Sequence, residues 1–224
     1  RRAAAAFGLK VPRSFLARMR RGDPRDPLLL QVLPLHAELQ EVPGFVSDPV
    51  GDLASTAGAG LLHKYEGRAL LIATGACAVH CRYCFRREFP YADNLAAAAQ
   101  WQLALDALAA DPTIHEVLLS GGDPLSLADH KLRALTDGLR ALPHIRRLRI
   151  HTRFPIVLPA RVDTGFREWL RSLPWQVVMV VHANHPAEID AEVAQALRDL
   201  AACGVTLLNQ SVLLREVNDS AATL

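Results

Sequence analysis

The 224-residue sequence predicts an α/β fold: an open, partial parallel β/α barrel preceded by a helical arm. Three observations carry that expectation. From Leu61 onward, short apolar runs alternate with amphipathic helical windows, the pattern of parallel strands buried on both faces. Five such strands, from Ala69 to Asn209, are too few to close an eight-stranded barrel. The polar clusters fall just after the strands, where α/β barrels carry their chemistry.

Taken in order, residues 1 to about 52 form the arm, and 53–224 the partial barrel. Arg13, Arg18, Arg20, Arg21 and Arg25 read as a solvated helix face, with contact to an acidic partner as the other reading. Asp26-Pro27 predicts a capped helix start, running through Leu28, Leu29, Val32 and Leu33 to Pro34. The turn-rich stretch 42–49 marks the arm's end. Leu61 to Tyr65 and Arg68 to Thr74 flank Glu66-Gly67, a hairpin signal. A helix from Leu95 to Ala110, entered at Asp93-Asn94, leads to a strand at Glu116 to Ser120. The next helix spans about Asp129 to Leu142, with Ser126 and Asp129 spaced as a capping box. A strand at Leu148 to Thr152 precedes a helix around Gly165 to Ser172. A strand at Gln176 to His182 leads into a helix from Glu188 to Cys203, ended by Gly204 as a left-handed cap. Val205 to Asn209 is the last strand.

Half of the residues are hydrophobic, ample for a large core. A net charge of +2 gives no reason to expect nucleic acid as a partner. No apolar stretch approaches the length of a membrane span, and the start is too weakly apolar for a signal peptide. Position 1 is not Met, and Asn218 to Leu224 resembles the opening of a helix, so both ends are expected to be cut.

Three of the four cysteines, Cys77, Cys81 and Cys84, lie within eight residues. A compact loop of this spacing can ligate three corners of an iron-sulfur cubane and leave the fourth iron open. A thiolate cluster needs a reducing compartment, which predicts a cytoplasmic protein. Read as zinc instead, the trio would need a fourth ligand from His80 or the distant Cys203. A zinc module with Arg82, Arg86 and Arg87 turned to nucleic acid is the rival of another class. A disulfide reading leaves one cysteine over.

After the Glu116 strand come Ser120-Gly121-Gly122-Asp123, where glycines would let backbone carbonyls approach an ammonium group; the plainer reading is a βα turn with Asp123 as a local cap. Later strands end in His151-Thr152-Arg153, in His182-Ala183-Asn184-His185 and in Asn209-Gln210-Ser211. Arg153 offers a planar fork for a carboxylate. Asn209 and Gln210 offer donors and acceptors suited to a nucleoside. Arg86 and Arg87 could hold an anionic group near the cysteines.

The three-cysteine loop, with Tyr83 before its last cysteine, resembles the signature of the radical S-adenosylmethionine enzymes. Leu62 to Arg68, Cys77 to Phe89, Ser120 to Leu125, Asn184-His185-Pro186 and Asn209 to Arg215 resemble the lysine 2,3-aminomutase family. Phe85 to Tyr91 and Arg149-Ile150-His151 are similar to its branch serving elongation factor P. The resemblance implies a radical S-adenosylmethionine partial barrel and a 1,2-amino shift converting L-α-lysine to (R)-β-lysine. Its implied cofactors are a [4Fe-4S] cluster on Cys77, Cys81 and Cys84, S-adenosylmethionine, and pyridoxal phosphate in an imine with the substrate. Implied S-adenosylmethionine contacts are Tyr83, Ser120, Gly121, Gly122, Asp123, His151, Arg153, His182, Asn209 and Gln210. Arg86 matches the position that holds the substrate carboxylate, and Lys64, Tyr65 and Arg68 fall near the pyridoxal phosphate. The imine-forming lysine and the aspartates for the substrate ammonium are expected beyond Leu224. A flavodoxin or ferredoxin would supply the electron. An aminomutase for another amino acid, or for lysine metabolism, is the alternative within the family.

Overall fold

The structure, a computed structural model, describes residues 2–56, 60–91 and 98–224. Six strands form one sheet in sequential order: β1 (Leu61–Tyr65), β2 (Arg68–Thr74), β3 (Glu116–Gly121), β4 (Arg147–Thr152), β5 (Gln176–Val181) and β6 (Thr206–Asn209). The β1–β2 hairpin is antiparallel, and its turn places Gly67 at φ 75°, a conformation that glycine adopts without strain. From β2 onward every pairing is parallel.

Alternation divides the sheet into two unlike faces. Ala69, Leu71, Val117, Leu119, Leu148, Ile150, Val177 and Met179 enter one core cluster with the helices. In-register neighbours on the other face include Leu70, Leu118 and Arg149, then Ser120 beside Ile72. That second face mixes charge with apolar area: Arg149 Nε donates to Glu116 Oε1 at 2.6 Å, and Arg147 lies 3.5 Å from the same carboxylate.

The helices are amphipathic at the expected spacing. In α5 (Asp129–Arg140), Leu132, Leu135 and Leu139 are buried; in α7 (Thr164–Ser172), Phe166, Trp169 and Leu170; in α8 (Ala191–Ala201), Val193, Ala196 and Leu200. Asp163 and Asp190 cap α7 and α8 through the amides of Phe166 and Val193. Helix α4 (Ala98–Ala110) adds Ala104 and Leu108 to the same core cluster. Its expected start at Leu95 and entry at Asp93-Asn94 lie outside the described residues.

Ahead of the sheet, the described residues hold only short helices: α1 (Arg2–Ala6), α2 (Arg13–Leu16), α3 (Pro27–Leu30) and two 3-10 turns. Phe15, Leu28 and Val32 pack against Val79 of the cysteine loop and Val157 of α6 (Phe154–Val157), which follows β4. Ser14 Oγ donates to the Val157 carbonyl at 2.7 Å.

Several local expectations need correction. Asp26 caps α3 as predicted, but the helix ends at Leu30, and looser turns finish the stretch to Leu33. No capping box forms at Ser126: Ala128 stands at the N-cap of α5, and the Ser126 hydroxyl donates to Ala76 O at 3.0 Å. Asp129 pairs with Arg161 instead. The helix expected from Glu188 begins at Ala191, because Pro186–Glu188 forms a separate 3-10 turn. The end of the chain is turns, since Asn218 folds its amide back onto Leu214 N and Val212 O.

Replacing Phe166 by Ala removes a wholly buried ring of α7 whose centroid lies 5.2 Å from that of Trp169. Chemical denaturation is expected to show a loss of about 3–5 kcal/mol.

Candidate active site

The chain leaves β2 at Thr74 and enters the cysteine loop against the turn that follows β3. Gly122 N donates to Thr74 O at 2.6 Å, and Asp123 N to Ala76 O at 2.7 Å. Both glycines serve this docking. A Cβ on Gly122 would lie 2.4 Å from Ala76 O; one on Gly121, at φ 125°, would lie 2.4 Å from Thr74 O. The expected close backbone approach is therefore made to the cysteine loop, and the Gly121 carbonyl accepts from Tyr91 Oη at 2.6 Å. Asp123 is the local cap: its carboxylate accepts from Leu125 N, Thr152 Oγ1 and Arg153 N. Burial pushes its pKa up to about 6.

Cys77, Cys81 and Cys84 border one cavity of about 270 Å³ at the C-terminal ends of β3, β4 and β5. Ser120, Gly121, Gly122 and Asp123 form one wall; His151, Arg153, His182 and Gln210 form others, and Tyr83 and Arg86 come from the loop itself. Burial raises the thiol pKa of Cys77 and of Cys84, so these sulfurs favour the neutral form until a cation replaces their protons. Among the described residues no three His, Cys, Asp or Glu side chains converge as the ligands of a single metal ion would. A cubane distributes its thiolates over separate irons, and an all-sulfur donor set suits it. His80 and Cys203 do not complete a zinc site: His80 Nδ1 lies 2.8 Å from Gly8 O with its ring stacked on Phe7, and Cys203 Sγ donates to Asp199 O on α8.

Two imidazoles face the cysteines. His151 and His182 meet edge to face, with ring centroids 6.0 Å apart, and both Nε2 atoms are buried without a hydrogen-bond partner. Burial lowers both pKa values to about 4, so each ring is neutral near pH 7. Buried, unpaired ring nitrogens in a cavity wall fit a bound polar ligand.

The arginines are held firmly. Arg86 is buried; Nε donates to Asp52 Oδ2 at 2.6 Å and Nη1 to Ser120 Oγ at 2.9 Å. The Lys64 ammonium reaches the other oxygen of Asp52 and the Val50 carbonyl. Arg82 and Arg87 both pair with Glu38 and both lie over the Phe7 ring, so neither presents a free cation to nucleic acid. Arg153 is sequestered with Glu188, Gln31 and Cys81.

Other expected residues are not brought to the cavity. Tyr65 and Arg68 stand at the hairpin end of the sheet, paired with each other at 5.5 Å from guanidinium carbon to ring centre. Asn209 ties the β5 and β6 ends together through both backbone groups of Ala183 and borders a neighbouring cleft. Sequence reasoning missed Asp52, Gln31, Tyr91 and Glu188. Each acts through a contact distant in sequence; Tyr91 and Glu188 stood within or beside the segments Phe85 to Tyr91 and Asn184-His185-Pro186, but without a role of their own. A wider groove of about 880 Å³ runs along the arm past Leu16, Met19 and Leu29, but no cysteine borders it.

Gly122→Ala is expected to push the cysteine loop off the β3 turn at a cost of about 1–3 kcal/mol, read as a lower denaturation midpoint. Acid acts in a defined direction. The unfolded chain takes up two imidazole protons between pH 6.5 and about 4 that folded His151 and His182 refuse, so stability falls as pH drops through that window. Asp123, raised to about 6, opposes with one proton. His182→Gln should flatten the fall in unfolding free energy.

No family model matches the chain. It is 52% identical over all 224 residues to L-lysine 2,3-aminomutase of Escherichia coli K12, spanning 65% of that protein. It is 50% identical over 218 residues to the Haemophilus influenzae protein of the same name, spanning 64% of it. The Clostridium subterminale L-lysine 2,3-aminomutase is 38% identical over 198 residues, and the chain spans 47% of its length. The chain thus covers less than two thirds of each of these relatives. From its first residue to its last, this chain is thus similar to the L-lysine 2,3-aminomutases.

Proposed function

We propose that this chain is the cluster-bearing part of a radical S-adenosylmethionine isomerase that converts L-α-lysine to (R)-β-lysine for the modification of elongation factor P. The observation that carries the reading is the cavity where three thiols meet two imidazoles with unpartnered Nε2 atoms. The names and identities of the relatives support the aminomutase activity. The sequential parallel sheet supports an open partial barrel of the radical S-adenosylmethionine type, with residues 53–224 as its body and 1–52 as its arm. Among the described residues no helix is long and apolar enough to cross a membrane. Dependence on reduced thiolates favours the cytoplasm, with a flavodoxin or ferredoxin as electron donor.

Cys77, Cys81 and Cys84 would hold a [4Fe-4S] cluster. Bound there, the cluster with S-adenosylmethionine supplies a carbon-centred radical, and pyridoxal phosphate supplies the π-system over which an amino group migrates. The chain's own task is orientation and exclusion. His151 and His182, kept neutral by burial, offer Nε2 to polar groups of the nucleotide, beside Ser120, Gln210 and the Gly121-Gly122 backbone. Arg86 would receive the substrate carboxylate on a fork already set by Asp52 and Ser120. Lys64 belongs to the same cationic cluster through Asp52 and is the residue of the Lys64, Tyr65 and Arg68 group best placed to act there. Tyr83, sharing its hydroxyl with Asn184 at 2.7 Å, presents a flat ring to the cavity.

In the full-length protein, Cys81→Ala is expected to abolish both the brown chromophore and the release of methionine from S-adenosylmethionine under dithionite. Full cleavage by that variant contradicts the ligand assignment. Arg86→Ala should leave iron and sulfide content unchanged while weakening lysine binding at least tenfold, about 1.4 kcal/mol. Unaltered lysine affinity in equilibrium binding refutes that role.

A further inference from the structure

Arg153 follows β4 and turns its guanidinium into the protein, 5% exposed, against the cysteine loop. Nη2 donates to Gln31 Oε1 at 2.6 Å and to Glu188 Oε2 at 2.9 Å, and Nη1 donates to Cys81 Sγ at 2.9 Å. The rings of Phe15 and Tyr83 lie 5.3 and 5.5 Å from its central carbon. A cation buried this deeply is tolerated only with a charged and well-fitted partner. Glu188, itself 0% exposed, supplies that charge, and its other oxygen accepts from Asn184 N, His185 N and Gln31 Nε2. The Nη1 edge is thereby left with the sulfur as its acceptor. Among the described residues, neither Cys77 nor Cys84 receives a hydrogen bond from a charged side chain.

We infer that Arg153 is a positioning residue that fixes the Cys81 sulfur and makes the metal cluster held by that sulfur easier to reduce. The inference rests on the cluster reading given above. Hydrogen bonds to ligand sulfurs and charges near them are levers on cluster potential. One electron from the donor protein adds negative charge to the cluster and its thiolates, and a fixed cation beside one sulfur favours the state that carries more of it. No bond to Arg153 forms or breaks, and its proton stays in place. The planar fork matters because it serves Gln31, Glu188 and Cys81 at once, which a lysine ammonium bonded to Glu188 cannot do with the same geometry. Gln31 carries the arm into this network: its side-chain oxygen accepts from both Arg153 and Asn184, and Asn184 donates in turn to the Tyr83 hydroxyl.

The test is a redox titration followed by electron paramagnetic resonance on the full-length protein carrying reconstituted cluster. R153Q/E188Q removes both members of the buried pair and leaves no uncompensated charge. At a fixed solution potential its reduced-to-oxidised ratio is expected to fall about tenfold, about 59 mV for a one-electron couple. R153K is expected to shift the midpoint in the same direction by less, and it decides the matter if the double variant takes up no iron. A wild-type midpoint in the cluster-loaded double variant, or in R153K when the double variant is empty, overturns this inference alone. Wild-type protein that binds no iron and sulfide overturns the cluster reading and this inference together.

Discussion

The architecture around the cavity depends on one close contact between two stretches of backbone. At Gly121 and Gly122 the chain leaving β3 lies so near Thr74 and Ala76 that a single methyl group would meet a carbonyl oxygen at 2.4 Å. Two amides of this turn donate into the cysteine loop, and the Ser126 hydroxyl adds a third bond. The loop cannot be ordered by a hydrophobic core of its own, because it contributes chiefly Val79 to the cluster beneath the arm. Its shape is imposed from outside. The carbonyls of Thr74 and Ala76 fix the start of the loop, beside Cys77, against the β3 turn, while contacts with the arm and Arg153 hold the rest.

Buried charge completes the frame. Two carboxylates, Asp52 and Glu188, each hold an arginine of the cavity wall, and both are almost wholly buried. Such pairs contribute little net stability, since desolvation offsets most of the attraction, but losing one partner leaves an uncompensated charge. Their value is geometric: each guanidinium is pinned at two nitrogens and so has one orientation. Arg86 and Arg153, both read from sequence as ligand contacts, differ in what remains. Arg86 stands at the cavity with part of its fork committed, whereas Arg153 spends its fork on the protein itself.

Much of the sheet was legible because periodicity is local. Glu116, Arg147 and Gln176 begin strands within one residue of where apolar alternation placed them, and Gly67 and Gly204 mark their turns with positive φ. The three cysteines, Ser120 to Asp123, His151, His182 and Gln210 share one cavity because parallel strands deliver their ends to one side. What failed had a different origin. Ser126 has the spacing of a capping box, but its hydroxyl finds the carbonyl of Ala76 instead, a partner across the fold. Tyr65 and Arg68 are a separate case: the antiparallel hairpin places them at the end of the sheet away from the cysteines. Asp52, in a turn-rich connector, gave no signal, because its meaning comes only from Arg86 and Lys64 approaching from two other elements.

The way the arm grips the cysteine loop bears on the order in which the molecule assembles. His80 N donates to Lys10 O, Arg82 N to Gln31 O, and the Arg82 side chain to Phe7 O across 75 residues of chain. Gln31 and Arg153 join across 122. Contacts of such high order form only after long segments have been closed, a step opposed by chain entropy. The β1–β2 hairpin and the helices close locally, whereas the sulfur-bearing segment has only short turns of its own, such as Cys84 N to Cys81 O. Holding its three thiols in place therefore costs more chain-closure entropy than closing the β1–β2 hairpin.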